Sequence, residues 1–178
     1  MILRTVALTA VVSLCGVCFA QNSPNQAPSQ EISSRIDAIV HRAAEPMVLS
    51  SPSSPVRITS AQIFFNPDEV AEIQRYGPRA IPTLSKYILD RNSRIERVAI
   101  RLLGVIGGPE IVRPLLDVLD KSTSSGGRYE ALLNLKQAPC TKEVARTILR
   151  VSQNDSDAIV GDQAREEVSW CSIESAPH

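Results

Sequence analysis

The sequence predicts an all-α fold of stacked antiparallel helix pairs, preceded by one extra helix near the N-terminus. After residue 66, apolar residues recur at helical spacing through most of the chain. No stretch in that region alternates apolar and polar residues with the period of two that a half-buried strand requires. Similar residues also recur every 31 to 33 positions, which is the length of a helical hairpin.

Composition places the chain among globular proteins. It has 178 residues, of which 21% are charged and 43% hydrophobic, values that suit one domain and exclude a disordered chain. Nineteen basic side chains balance nineteen acidic ones. Because nucleic-acid binding needs a basic surface, no nucleic-acid partner is expected.

The first twenty residues resemble an export signal. Arg4 precedes an apolar run over residues 5–19, and Ala20 closes it. The run is shorter than the roughly 18–20 residues that span a bilayer, so an uncleaved anchor is the weaker alternative. Cys15 and Cys18 each follow a bulky aliphatic residue, which disfavours a lipoprotein signal. We expect cleavage after Ala20 and a periplasmic or extracellular protein with no membrane span.

Cleavage would leave two cysteines, Cys140 and Cys171. In an oxidising compartment, two such thiols usually form a disulfide. Cys140 stands at the start of one predicted helix and Cys171 at the end of the next, and these ends are neighbours in an antiparallel hairpin. We therefore predict Cα atoms within about 7 Å. Trp170 is expected to help cover the same end of the domain.

The segments before the repeats differ in character. Residues 21–30 are rich in Pro, Ser, Asn and Gln and predict a disordered tether. Apolar residues at helical spacing predict a helix over residues 31–44. Residues 45–66 contain prolines and serines and predict a loop, with one short extended piece at residues 56–59. Residues 172–178 are expected to form a disordered tail.

A repeat domain is predicted over residues 67–171. Its first helix starts at Asn66-Pro67-Asp68-Glu69, which offers a side-chain cap, Pro in the first turn and acids near the positive end of the helix dipole. That helix ends at Tyr76-Gly77. Further helices are predicted at residues 78–89, 94–106, 110–121, 126–136, 141–153 and 157–171.

Three of these helices share one register. Ala99, Ala131 and Ala164 are separated by 32 and 33 residues. Four positions later the same offsets relate Leu103, Leu135 and Val168. A hairpin of about 30 residues has apolar faces that it cannot cover alone, so successive hairpins stack, and a small Ala lets paired helices approach closely. The alternative is an irregular helical bundle whose helices have similar lengths.

Residues 95–118, IERVAIRLLGVIGGPEIVRPLLDV, resemble the HEAT-like repeat. In that pattern an Ala-containing helix ends in a Leu-Gly-x-Ile-Gly turn, here residues 103–107, and the next helix carries a Pro-Leu pair. An Arg often follows the apolar residue that opens the first helix. Here those positions hold Glu96, Arg128 and Gly161, so one unit matches. The resemblance extends over about residues 67–171 and implies a short right-handed α-solenoid that binds other macromolecules. We expect the concave face of the stack to be the binding surface.

No catalytic or metal-binding residues are predicted. The two histidines are His41, on the polar face of the first helix, and His178, the last residue. A triad needs a His between a nucleophile and a carboxylate, and neither position suggests one. The cysteines lack the spacing of a metal site. We expect no cofactor.

Two motifs have simpler interpretations than a ligand site. Residues 154–157 fail the calcium-loop pattern, because Val160 stands where Gly is required, so Ser156 or Asp157 is expected to cap the last helix. The glycines of the turn, Gly104, Gly107 and Gly108, follow a helix and not a strand. They are interpreted as helix terminators and not as a phosphate loop.

Residues 75–113 carry eight basic side chains against three acidic ones. They form a possible surface for an anionic partner, and a merely solvated face is the alternative because no aromatic residues alternate with the basic ones. The candidate residues are Arg75, Arg79, Arg94, Arg97 and Arg101.

The sequence therefore favours an exported, non-catalytic scaffold that binds a protein or peptide. One alternative is a small envelope enzyme, a hydrolase with two carboxylates about 5–10 Å apart across a cleft. Another is a structural envelope protein without a pocket.

Overall fold

The computed structural model describes residues 27–51, 54–60 and 63–172. The predicted signal peptide, most of the tether and residues 173–178 of the tail lie outside these residues. The helices are α1 (Ala27–Ala44), α2 (Pro67–Tyr76), α3 (Ile81–Leu84), α4 (Ser93–Ile106), α5 (Val112–Lys121), α6 (Ser125–Leu135), α7 (Lys142–Asn154) and α8 (Ala158–Val168). Short 3₁₀ turns at Gly77–Ala80 and Pro109–Ile111 lead into α3 and α5. The all-α prediction is confirmed for the body of the fold.

A two-stranded hairpin is the exception to that prediction. Strands β1 (Met47–Ser51) and β2 (Ser54–Ser60) pair antiparallel, with Val48 opposite Thr59 and Leu49 opposite Ile58. The extended piece predicted at residues 56–59 lies within β2, whereas the prediction of a loop for the other strand residues is wrong. Prolines predict a loop there, but both strands of a two-stranded sheet are edges, where a residue without an N–H is tolerated.

Helix α1 begins at Ala27, four residues earlier than predicted, so the expected tether is shorter. Pro28 stands in its first turn, where the missing N–H leaves no hydrogen bond unmade. The apolar face of α1, including Ile36, Ile39 and Val40, is buried. Arg42 contacts the buried Glu69 of α2, which joins the two helices.

The ends of α2 follow the prediction. The Asn66 side chain accepts from the Asp68 N–H at 3.0 Å, and Gly77 ends the helix with a φ of 54°. The predicted helix over residues 78–89 is reduced to a 3₁₀ turn and the four-residue α3. Pro78 and Pro82 lack the N–H groups that a continuous helix needs, which explains the interruption.

The later helices form two rows. In one row α4 contacts α6 and α6 contacts α8, and α1 lies on the other side of α4. In the second row α5 contacts α7, while α5 packs on α6 and α7 on α8. The three alanines of the shared register, Ala99, Ala131 and Ala164, are completely buried in α4, α6 and α8.

Close approach of α4 and α6 depends on two glycines. A Cβ atom on Gly104 would lie 1.8 Å from Asn134 Oδ1, and one on Gly127 would lie 2.5 Å from Glu96 Cδ. Gly104 is therefore inside α4 for packing, and its interpretation as a terminator is wrong. Gly107 and Gly108 do end the helix, with φ of 65° and 84°, and Gly108 donates to the Gln137 carbonyl at 2.9 Å.

The disulfide between Cys140 and Cys171 is confirmed, with a Cα–Cα distance of 5.5 Å. It joins the segment before α7 to the segment after α8. Trp170 packs, partly buried, against the core at this end. The bridge therefore fastens the helix pair at the C-terminal edge of the structure.

Candidate functional site

A groove of about 320 Å³ opens between α4, α6 and the N-terminus of α8. Its lining comes from α4, from α6 and from the cap and first turn of α8. It brings together two of the five candidate arginines, Arg97 and Arg101. The lining residues are Arg97, Arg101, Ser125, Gly126, Tyr129, Glu130, Leu133, Asp157, Ile159 and Val160.

The other three candidate arginines lie elsewhere. Arg75 is exposed on α2, and Arg79 is exposed on the 3₁₀ turn that follows. Arg94, at the start of α4, donates to the Glu45 carbonyl at 3.3 Å, which ties α4 to the segment after α1. The predicted anionic-partner surface is thus divided: Arg97 and Arg101 lie beside the groove, and Arg94 lines a separate cavity of about 200 Å³.

Glu130 organises the polar side of the groove. Its carboxylate is 3% exposed and binds both arginines. Arg97 Nη2 donates to Oε1 at 3.0 Å, while Arg101 donates through Nε to Oε2 at 2.9 Å and through Nη2 to Oε1 at 2.6 Å. A buried carboxylate needs such partners, because an unpaired charge away from water is costly. The sequence pattern gave no sign of Glu130, since its partners come from another helix.

The two arginines stay partly accessible while bound to Glu130. Their side chains are 29% and 33% exposed. They stand four residues apart on α4, hence one turn apart on the same face. Their shared bond to Glu130 fixes both guanidinium groups at the wall of the groove.

The opposite side of the groove is apolar. Tyr129 and Leu133 are partly buried on α6, and Val160 is buried on α8. Ile159 is 69% exposed at the mouth, the highest value among the large hydrophobic side chains exposed in the described residues. An exposed aliphatic side chain beside a groove offers contact area to a ligand.

Asp157 positions the α8 wall as the helix cap. Its Oδ1 accepts from the N–H groups of Ile159 at 3.0 Å and Val160 at 3.3 Å. Of the two caps that the sequence allowed, Asp157 is the one used. The neighbouring Asp155 binds the guanidinium of Arg128 through both oxygens, each at 2.8 Å. That hydrogen bond holds the pKa of Asp155 below its usual range.

A second buried carboxylate lies behind the groove, at the α4–α6 contact. Glu96 is 2% exposed, and its Oε1 accepts from the Ser122 hydroxyl at 2.5 Å. Burial raises the pKa of Glu96, against the lowering effect of hydrogen bonds from Ser122 and Ser124 and of the Arg128 charge. Glu96 and Arg128 thus both bind groups in the segments between helices.

The remaining candidates for chemistry have structural contacts. His41 is exposed on α1, and its ring meets the edge of Tyr87 with centroids 5.6 Å apart. In the described part of the chain, no group of three or more His, Cys, Asp or Glu side chains is arranged to hold a metal ion. The two carboxylates of the groove are engaged, Glu130 by arginines and Asp157 by the α8 backbone.

Among residues 27–51, 54–60 and 63–172, no helix has the length and apolar character needed to cross a bilayer. Comparisons with protein-family models, with curated proteins and with solved structures found no match.

Proposed function

We propose that this chain is an exported, non-catalytic HEAT-like repeat protein that binds a peptide or protein segment in the groove between α4, α6 and α8. The observation that carries the proposal is the groove itself. It combines accessible, fixed arginines with apolar walls, the mixture by which concave sites orient and hold a ligand.

The arrangement of helices supports the solenoid part of the proposal. Three alanines at the repeat interval are buried at equivalent places in α4, α6 and α8, and these helices follow one another in a row. Stacked hairpins present a continuous surface of this kind to their ligands. The Cys140–Cys171 disulfide is compatible with export to an oxidising compartment.

A displayed library of random linear peptides, selected on the purified protein, tests the proposal. We expect enriched peptides whose affinity, measured by fluorescence polarisation, falls about tenfold in Ile159→Gln, because a peptide bound in this groove would cover that exposed side chain.

Leu149→Gln is the matched control, since Leu149 is also an exposed aliphatic side chain but lies on α7 outside the groove. It should bind like the wild type. Failure to enrich any peptide, or equal losses in both variants, would contradict binding in the groove.

A further inference from the structure

We propose that the groove recognises a peptide carboxylate next to an aliphatic or aromatic side chain: the side chain of Asp or Glu, held by Arg97 and Arg101. This inference rests on the proposed function and names the chemistry of its ligand.

Arg97 and Arg101 of α4 have more N–H donors than their bonds to Glu130 use. A guanidinium group has five N–H donors. The bonds to Glu130 use one N–H of Arg97 and two of Arg101. Two positive charges meet one carboxylate there, so the pair keeps a positive charge and unused N–H groups. Because Arg97 Nε is buried, the terminal nitrogens of the two arginines are the donors left for an acceptor in the groove. Paired N–H groups of arginine match the geometry of a carboxylate.

Glu130 holds the guanidinium groups of both arginines in place before a ligand binds. An exposed arginine loses much side-chain freedom when it binds a ligand, which weakens binding. Glu130 already fixes both guanidinium groups, and it is itself buried between α4 and α6. A ligand carboxylate therefore meets donors that need little further ordering.

The charges that line the groove suit a single carboxylate better than a polyanion. The groove contains two arginines and two acids, Glu130 and Asp157, so its formal charges balance. A sulfated polysaccharide or a nucleic acid needs a run of uncompensated positive charge. Here the positive charge belongs to two side chains of α4, and Tyr129, Leu133 and Ile159 line the same groove, which suits one carboxylate beside one apolar side chain.

The cavity volume fits a short segment. About 320 Å³ lies at the lower end of the range of roughly 300–1,000 Å³ for ligand sites. That space accommodates one or two side chains of an extended peptide, and not the face of a folded domain.

The test uses the peptides that the library selection enriches. We expect Asp or Glu within two positions of an aliphatic or aromatic residue. Replacing that acid by its amide should weaken binding to the wild type about tenfold, the loss of a charge-assisted pair of hydrogen bonds. Arg101→Gln should lower the affinity for the acidic peptide by a similar factor and leave the affinity for the amide peptide unchanged. Arg113→Gln, at a 72% exposed arginine of α5 outside the groove, should change neither.

Glu130→Gln provides a variant in which both arginines remain. It removes the carboxylate that fixes both guanidinium groups, so the acidic peptide should bind several-fold more weakly while the affinity of the amide peptide does not change. If Glu130 had only a structural role, Glu130→Gln would change the affinities of the two peptides by the same factor.

The outcomes separate the two proposals. Peptides that depend on Ile159 but show no preference for the acid would overturn this inference and leave the proposed function intact. Competition by dextran sulfate at lower concentration than the acidic peptide would also overturn it, in favour of a polyanion. Enrichment of no peptide would overturn the proposed function itself.

Discussion

At the scale of single residues, the polar contacts of this protein differ greatly in burial, and burial decides what each contributes. Arg128 and Asp155 are 10% and 6% exposed, whereas Arg150 and Asp120 are half exposed. Breaking a buried pair leaves an uncompensated charge, while an exposed pair is screened by water.

We therefore predict that Arg128→Ala lowers the free energy of unfolding by about 3–5 kcal/mol. Asp155 would stay buried without the guanidinium that now binds both of its oxygens, and this unpaired charge explains the size of the effect. Urea denaturation followed by circular dichroism measures it. Arg150→Ala is the control and should cost about 0–1 kcal/mol. Similar losses in the two variants would contradict this account.

Glu96 should make stability depend on pH. Because its pKa is raised in the folded chain, folding is favoured most below the ordinary Glu pKa, and that contribution is lost as pH rises through the raised value. The free energy of unfolding of the wild type, relative to Glu96→Gln, should therefore fall as the pH rises from about 4 towards neutrality.

Urea titrations at a series of pH values measure the change. Glu110→Gln is the control at an exposed position, and the difference between its free energy of unfolding and that of the wild type should not vary with pH. A difference between wild type and Glu96→Gln that does not vary with pH would contradict the burial of an ionisable Glu96.

At the scale of elements, the contact of α4 with α6 is set by glycines whose surroundings differ sharply. Gly127 faces Glu96, with 2.5 Å between a Cβ and Glu96 Cδ. Its neighbour Gly126 has Arg97 Cδ at 3.4 Å, an ordinary contact. The two positions stand side by side in the first turn of α6 and differ only in what they face.

We predict opposite effects of Gly127→Ala and Gly126→Ala. Gly127→Ala should destabilise by about 1–3 kcal/mol because the helices must move apart or Glu96 must shift. Gly126→Ala should be neutral or stabilise by up to about 1 kcal/mol, since Ala favours the helix. Thermal unfolding measures both, and a destabilisation of equal size in the two variants would show that α4 and α6 are not packed as described.

The elements also show how far the sequence determines the fold. Local signals sufficed for α2, because Asn66 and Gly77 cap it through atoms within a few residues. At the hairpin they indicated only the extended piece at residues 56–59 and missed β1, because the strands are defined by pairing across the turn. They failed at α3, where Pro78 and Pro82 override helical spacing. Glu130 could not be identified, since its role depends on Arg97 and Arg101 lying opposite it.

At the scale of the whole molecule, the C-terminal edge is where the stack has no further described helix to cover it. The disulfide closes a loop of 31 residues there. In the chain-entropy model, a loop of this length stabilises by about 3 kcal/mol.

Reduction should therefore lower the free energy of unfolding of the wild type by about 3 kcal/mol, as measured by urea denaturation with and without dithiothreitol. The double variant Cys140→Ser/Cys171→Ser should have the free energy of unfolding of the reduced wild type. Dithiothreitol should not change that value. A wild type unaffected by reduction would contradict a bridge that fastens this edge.

The central claim is that the groove between α4, α6 and α8 is the binding surface. The most direct measurement is a titration of the ¹⁵N-labelled protein with a selected acidic peptide, followed by amide chemical shifts. We predict that the largest shifts occur at Arg97 and Arg101 on α4, at residues 125–133 of α6 and at residues 157–160. Shifts centred on α7 or on α1, with these residues unmoved, would contradict the claim.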